Sequence, residues 1–147
     1  MIPLPPDFKE FLKLLNSNEV EYLVLGGYAV GHHGYPRATV DFDVWVRRTH
    51  DNARRVASAV SEFGFADAGA SEELFSAENQ IVRMGVPPLR IEVITTASGV
   101  SFEDCYPRRV VAEIDGVRVN FISLADLKAN KSAAGRHKDL NDLENLP

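Results

Sequence analysis

Two carboxylates one residue apart, Asp41 and Asp43, interrupt the apolar run Val40-Asp41-Phe42-Asp43-Val44-Trp45-Val46. Residues i and i+2 of a strand project to the same side. A strand over 40–46 therefore aims both carboxylates at one point, with Trp45 on that face and Phe42, Val44 and Val46 on the other. Like charges held so close repel unless a cation or a proton lies between them. The chemistry that suits such a pair is Mg²⁺ binding against a phosphate-rich substrate, since a rigid D-x-D can bridge ions about 3.5–4 Å apart. A solvated acidic face on an edge strand is the alternative. The apolar remainder of the strand, and the glycines before it, favour a site.

Those glycines, Gly26 and Gly27, end the apolar run Tyr22-Leu23-Val24-Leu25. A strand end that turns straight into a helix exposes backbone N–H groups to an anion, and glycine lets the anion approach closely. Alone, the pair would read as a tight turn. Glu92 lies within Leu89–Thr95, with Arg90 on the same face by alternation. On a neighbouring strand it would join the Asp pair as a third ligand and take a proton from an attacking hydroxyl; otherwise Arg90 and Glu92 form a charged surface. Lys128, Lys131, Arg136, Lys138, Asp139 and Asp142 follow near the C-terminus. They read either as phosphate contacts, with Arg136 offering a fork, or as a solvated face of paired charges. Arg37 and Thr39 precede the Asp pair; Thr39 alternates with Asp41 towards the same pocket, and Arg37 is placed to touch phosphate or hold the loop.

The elements that position these residues follow from periodicity. Phe8, Phe11, Leu12 and Leu15 make one helix stripe, with Asp7 as its cap. Strand 22–25 leads through the glycines into a short helix from about Tyr28 to His33. After the Asp strand, Thr49, His50 or Asp51 caps a helix whose stripe is Ala53, Val56, Ala57, Val60 and Phe63. The stretch 66–76 is ambiguous, with one helical turn at Ser71–Leu74. Strands are expected at Gln80–Met84 and Leu89–Thr95 around a turn at 85–88. Asp115-Gly116 marks a hairpin between Arg109–Ile114 and Val117–Phe121. Ser123 caps a helix to about Ala134, with Asp126 at the third position of its box. A last helix, about Lys138 to Leu146, turns Leu140 and Leu143 inward. This order predicts an α+β fold: a small mixed sheet flanked by helices.

At 147 residues, 45% hydrophobic and 25% charged, the chain fits a single globular domain over 1–147 with C-terminal helices at about 123–146. One cysteine, Cys105, leaves no internal disulfide framework and no Cys-rich zinc site. It has no evident histidine partner and is not read as a nucleophile. The opening MIPLPPDFKE lacks a signal-peptide pattern, and no apolar run approaches the ~18 residues of a membrane span, so a cytoplasmic protein is expected. A net charge of −5 argues against a general nucleic-acid binder. His32 and His33 are adjacent and do not share a helix face, and Trp45 is read as core. There is no G-x-x-x-x-G-K-[ST] loop, and Gly26–Gly31 lacks the dinucleotide spacing.

Taken together, Gly26-Gly27, Asp41-x-Asp43 and a later Glu92 resemble the DNA polymerase β-like nucleotidyltransferase superfamily. Arg37-x-Thr39-x-Asp41-x-Asp43 is similar to small abortive-infection toxin-type and aminoglycoside or lincosamide nucleotidyltransferases. The toxin-type members' C-terminal Lys…Arg-x-x-Asp motif maps onto Lys128 or Lys131, Arg136 and Asp139. The resemblance spans roughly 20–143. It implies a polymerase β-like fold, an NTP donor such as ATP or CTP, two Mg²⁺ ions (with Mn²⁺ as a substitute) and in-line transfer of a nucleoside monophosphate. Asp41, Asp43 and Glu92 would bind metal and act in catalysis. Gly26, Gly27, Arg37, Thr39, Lys131 and Arg136 would hold the nucleotide, with Lys128 and Asp139 behind them.

Position 27 is Gly where many relatives use Ser, and the third carboxylate is Glu where Asp is commoner. The helical region that would receive an acceptor is short. A small molecule, an RNA end or a protein therefore remains open as the acceptor, and so does a site completed by a homodimer or a partner protein. The second expectation is a non-catalytic nucleotide- or partner-binding module of a toxin–antitoxin-like or two-protein system.

Overall fold

The computed structural model describes residues 4–65, 71–86 and 89–147. The expected turn at 85–88 and the ambiguous stretch 66–76 fall partly outside them. The described elements run α1 (Pro6–Ser17), β1 (Tyr22–Leu25), α2 (Gly26–His32), β2 (Asp41–Val46), α3 (His50–Val60), α4 (Glu72–Ser76), β3 (Ile81–Val86), β4 (Leu89–Ile94), α5 (Phe102–Cys105), β5 (Val110–Ile114), β6 (Val117–Phe121), α6 (Leu124–Ala134) and α7 (His137–Asn145). A π-helical turn at Ser61–Phe65 and a 3₁₀ turn at Tyr106–Arg108 extend α3 and α5.

The six strands form one mixed sheet in the order β3-β4-β2-β1-β6-β5. β2 pairs antiparallel with β1 and parallel with β4, which puts the Asp strand near the middle. Its alternation separates two environments. Phe42 stacks on Phe8 of α1 with ring centroids 4.8 Å apart, and Val44 and Val46 are fully buried with it. On the other face Asp41 and Asp43 are only partly covered, whereas Trp45 is buried against Phe102 of α5 at 5.2 Å. Each large apolar side chain so buried stabilises the fold by about 1.5–3 kcal/mol. The strand is therefore anchored at both ends of its site, and the two carboxylates cannot shift without unpacking core.

The helix stripes form as their periodicity requires: Phe8, Phe11, Leu12 and Leu15 are buried in α1, and Ala53, Val56 and Val60 in α3. Ala59 takes the place expected for Ala57, which is only partly buried. Thr49, Ser71, Ser101 and Ser123 each accept a backbone N–H at the start of a helix. Asp7 does not cap α1. Pro5 holds that position, and Asp7 lies in the first turn, where its negative charge favours the positive end of the helix dipole. The Asp115-Gly116 hairpin forms with both residues at positive φ, 51° and 80°.

A further expectation is overturned. Leu140 is 47% exposed and Leu143 only partly buried, while Asp139 and Asp142 are the buried face of α7. Cations packed against that face supply what an apolar partner would have supplied.

Candidate active site

β1 ends at Leu25 and α2 begins immediately at Gly26. Gly26 adopts φ +65°, and a Cβ there would run into the Asp43 carboxylate. A Cβ on Gly27 would come within 2.6 Å of the Thr39 Cβ and strike its hydroxyl as well. Glycine at position 27 thus goes with a Thr39 that packs directly on the turn. Gly26→Ala should lower stability by about 1–2 kcal/mol from backbone strain alone. Because it also pushes Asp43 aside, its metal affinity should fall more than that of Gly116→Ala, whose added Cβ meets open space. Urea melts and metal titrations of the two variants check this.

The parallel pairing of β2 with β4 sets Asp43 beside Glu92 and Asp41 beside Arg90. Asp41, Asp43 and Glu92 all line a cavity of about 690 Å³, with Gly26, Arg83, Asn130, Lys131, Arg136 and Lys138 also in its walls. Burial, then the charges of Glu92 and Asp41, raise the Asp43 carboxyl to about 6; Lys138 and Lys131 pull it back. Asp43 is thus the carboxylate with most to gain from a cation.

Arginines reach the other two first. Arg90 Nε donates to Asp41 Oδ1 at 2.9 Å and its Nη2 to Oδ2 at 3.3 Å. The same Nη2 lies 3.3 Å from Glu92 Oε1, and Arg83 Nε donates to that oxygen at 3.2 Å. As they stand, no three His, Cys, Asp or Glu side chains among the described residues close around a common point. The donor set nevertheless fits Mg²⁺ in kind: three hard oxygen ligands on rigid strands, two of which already share a cation.

The C-terminal charges pair with one another across the fold. Lys131 is 4% exposed, and its Nζ lies 3.1 Å from Asp139 Oδ1 and 3.0 Å from Asp142 Oδ2. Arg37 forks onto both oxygens of Asp142 at 2.7 and 2.8 Å. Arg136 forks onto Asp139, which also accepts the Arg136 backbone N–H and so starts α7. Burial works against both carboxylates, but hydrogen bonds from Arg136 and Lys131 hold Asp139 below the usual carboxylate range, and those from Arg37 and Lys131 do the same for Asp142.

Lys128 donates to the Pro147 carbonyl, and Thr39 Oγ1 donates to the Asp41 carbonyl at 3.3 Å. The sequence-read residues therefore sort into two groups. Gly26, Asp41, Asp43, Glu92, Lys131 and Arg136 share the cavity, whereas Arg37, Thr39, Gly27 and Lys128 brace its surroundings.

Arg83 is the cavity cation that sequence reasoning passed over, and Lys138 was read only as one of the C-terminal group of charges. Lys138 is exposed and acts on the Asp43 charge. Cys105 is buried and its thiol is pushed up to about 11 by burial, then by the Asp126 charge, which suits a packed core side chain. No helix among the described residues is long and apolar enough to cross a membrane.

A family model described as "Nucleotidyltransferase of unknown function" (DUF6036) matches residues 7–146. No curated protein matches. Two crystal structures share the fold. A Thermotoga maritima protein, provisionally assigned as a nucleotidyltransferase, superimposes with a TM-score of 0.63 at 14% identity, covering 93% of this chain and 88% of its own. An antigenic nucleotidyltransferase-like protein from Paracoccidioides brasiliensis gives a TM-score of 0.57 at 16% identity, over 98% of this chain and 77% of its own.

Proposed function

This chain belongs to the DUF6036 family of nucleotidyltransferases, and from that premise we propose that it is a Mg²⁺-dependent enzyme moving a nucleoside monophosphate from an NTP to a hydroxyl or phosphate acceptor. The observation that carries this reading is the set of Asp41, Asp43 and Glu92 on two adjacent parallel strands, lining one cavity with Lys138 and Arg136. Two carboxylate strands and a basic wall suit a triphosphate held by its charge on one side and by metal ligands on the other.

Asp41 and Asp43 would hold Mg²⁺, with Glu92 completing the set. When bound, the metal supplies charge neutralisation at the transferred phosphoryl group and lowers the pKa of an attacking hydroxyl. The Gly26 backbone, with no Cβ, gives phosphate oxygens close access beside Asp43. Lys138 is placed to neutralise charge on the pyrophosphate as it leaves. Glu92 is placed to accept the acceptor's proton when Arg83 releases it. Lys131, tied to two carboxylates, positions the wall that carries Arg136 and Lys138.

Arg90 and Arg83 on the same carboxylates favour the second reading, a module that binds nucleotide or a partner without turnover. Calorimetry with Mg²⁺ and each NTP separates the two. Metal-dependent NTP binding that Asp41→Asn/Asp43→Asn abolishes is expected for the enzyme. Binding that survives both the loss of metal and the double substitution would instead mark the module. Labelled NTPs added to a cell extract would then reveal the acceptor.

A further inference from the structure

Arg90 does more than decorate a strand, because its one guanidinium joins two would-be ligands on neighbouring strands. Nε and Nη2 take both oxygens of Asp41, and Nη2 also reaches Glu92. Asp41 and Arg90 are each 29% exposed and Glu92 14%, so these contacts are partly shielded from water and exceed an ordinary surface pair. With Arg83 on Glu92, two cations face three carboxylates, much the same charge balance a divalent ion would produce. An arginine does not deprotonate, so a rise in pH cannot clear it from the site.

We propose that the Arg90 guanidinium occupies the divalent-cation position in the protein alone, and that it must leave Asp41 and Glu92 before Mg²⁺ can bind. This rests on the metal-dependent reading above. Free metal then binds weakly, because each ion must break a bidentate charged hydrogen bond. A donor nucleotide shifts the balance, since it adds phosphate oxygens to the ion and offers the freed fork a matching anion. Arg90 is thereby a positioning residue that couples metal loading to donor loading and keeps the carboxylates from holding metal without substrate.

The test is calorimetric titration of Mn²⁺, without nucleotide, into wild type, Arg90→Gln, Arg90→Lys and Lys138→Gln. Arg90→Gln should bind about tenfold or more tightly than wild type, as loss of one charged hydrogen-bonding fork predicts. Arg90→Lys keeps the charge but loses the fork, and should fall between the two. Lys138→Gln removes an equal charge that acts on Asp43 through space, and should gain no more than about threefold. If Arg90→Gln does not fold, the Arg90→Lys gain alone must exceed that of Lys138→Gln. Equal gains for the Arg90 and Lys138 variants, or no gain at Arg90, overturn the inference while leaving the metal site intact. No Mn²⁺ binding by any of the proteins overturns the metal reading and this inference together.

Discussion

Asp43→Asn is expected to remove nucleotidyl transfer by at least about 10³-fold, equivalent to roughly 4 kcal/mol of transition-state stabilisation, while making the metal-free protein more stable at neutral pH. The two effects have one cause. Burial and the neighbouring charges of Glu92 and Asp41 raise the Asp43 carboxyl from 3.8 to about 6. The folded protein therefore holds a proton on Asp43 at pH values where the unfolded chain has lost it. Stability from that proton is fully present below about pH 4 and is lost as pH rises through about 6. At pH 7 the ionised Asp43 costs up to ~3 kcal/mol, which an uncharged isostere does not. Thermal melts from pH 4 to 8 should show the wild type weakening across this window and Asp43→Asn flatter. Mg²⁺ together with NTP should stabilise the wild type mainly above pH 6, where the carboxylate is ionised and able to bind the ion, and Mg²⁺ should add nothing for Asp43→Asn. A variant that lost stability in step with activity would instead make Asp43 a structural residue.

The site half that could be read from sequence is the half built from backbone periodicity. Asp41 and Asp43 sit two apart on a strand whose other face is Phe42 and Val44, and a strand permits only one outcome for that spacing. Gly26-Gly27 likewise marks its turn, because one glycine needs positive φ and both lie against a side chain. Glu92 needed a further fact, that β4 runs parallel beside β2 in a register that pairs it with Asp43. Alternation puts Glu92 and Arg90 on one face but does not name the strand they face.

The misread half depends on which charge meets which across the fold. In α7, the leucines at 140 and 143 suggested an apolar inner face, yet the same helix could bury Asp139 and Asp142 once Lys131, Arg37 and Arg136 were brought to them. Arg37 is 105 residues from Asp142, so no local pattern foretells their pairing. Lys131 shows the same ambiguity: its spacing suits a phosphate contact or a buried ion pair, and its pairing with Asp139 and Asp142 is visible only in the fold.

Asp139→Ala should be the most damaging single change outside the cavity, costing about 3–5 kcal/mol of a total near 5–15. Asp139 is fully buried and accepts from Lys131, from the Arg136 side chain and from the backbone N–H that starts α7. Removing it leaves two cations, Arg37 and Lys131, on Asp142 alone, and turns the largely exposed Arg136 out to solvent. Lys131, 4% exposed, has no route to water that would relieve the excess charge. Lys131→Met is the informative contrast. It leaves Arg136 on Asp139 and Arg37 on Asp142, two cations with two carboxylates, and should cost less than Asp139→Ala. The double variant Lys131→Met/Asp139→Leu should recover part of the loss, since an apolar pair needs no charge compensation. Acid should act in the same direction as Asp139→Ala. The lowered pKa of Asp139 and of Asp142 gives stability that is present above about pH 4 and lost as pH falls through their folded values, opposite in sign to Asp43. Urea melts at pH 7 and pH 3 measure both effects. If Asp139→Ala proves no worse than Lys131→Met, the network is not held by its charge balance. Where Asp139→Ala stays folded, α7 loses the anchor that sets Lys138 on the cavity wall, so KM for the NTP should rise before the fold is lost.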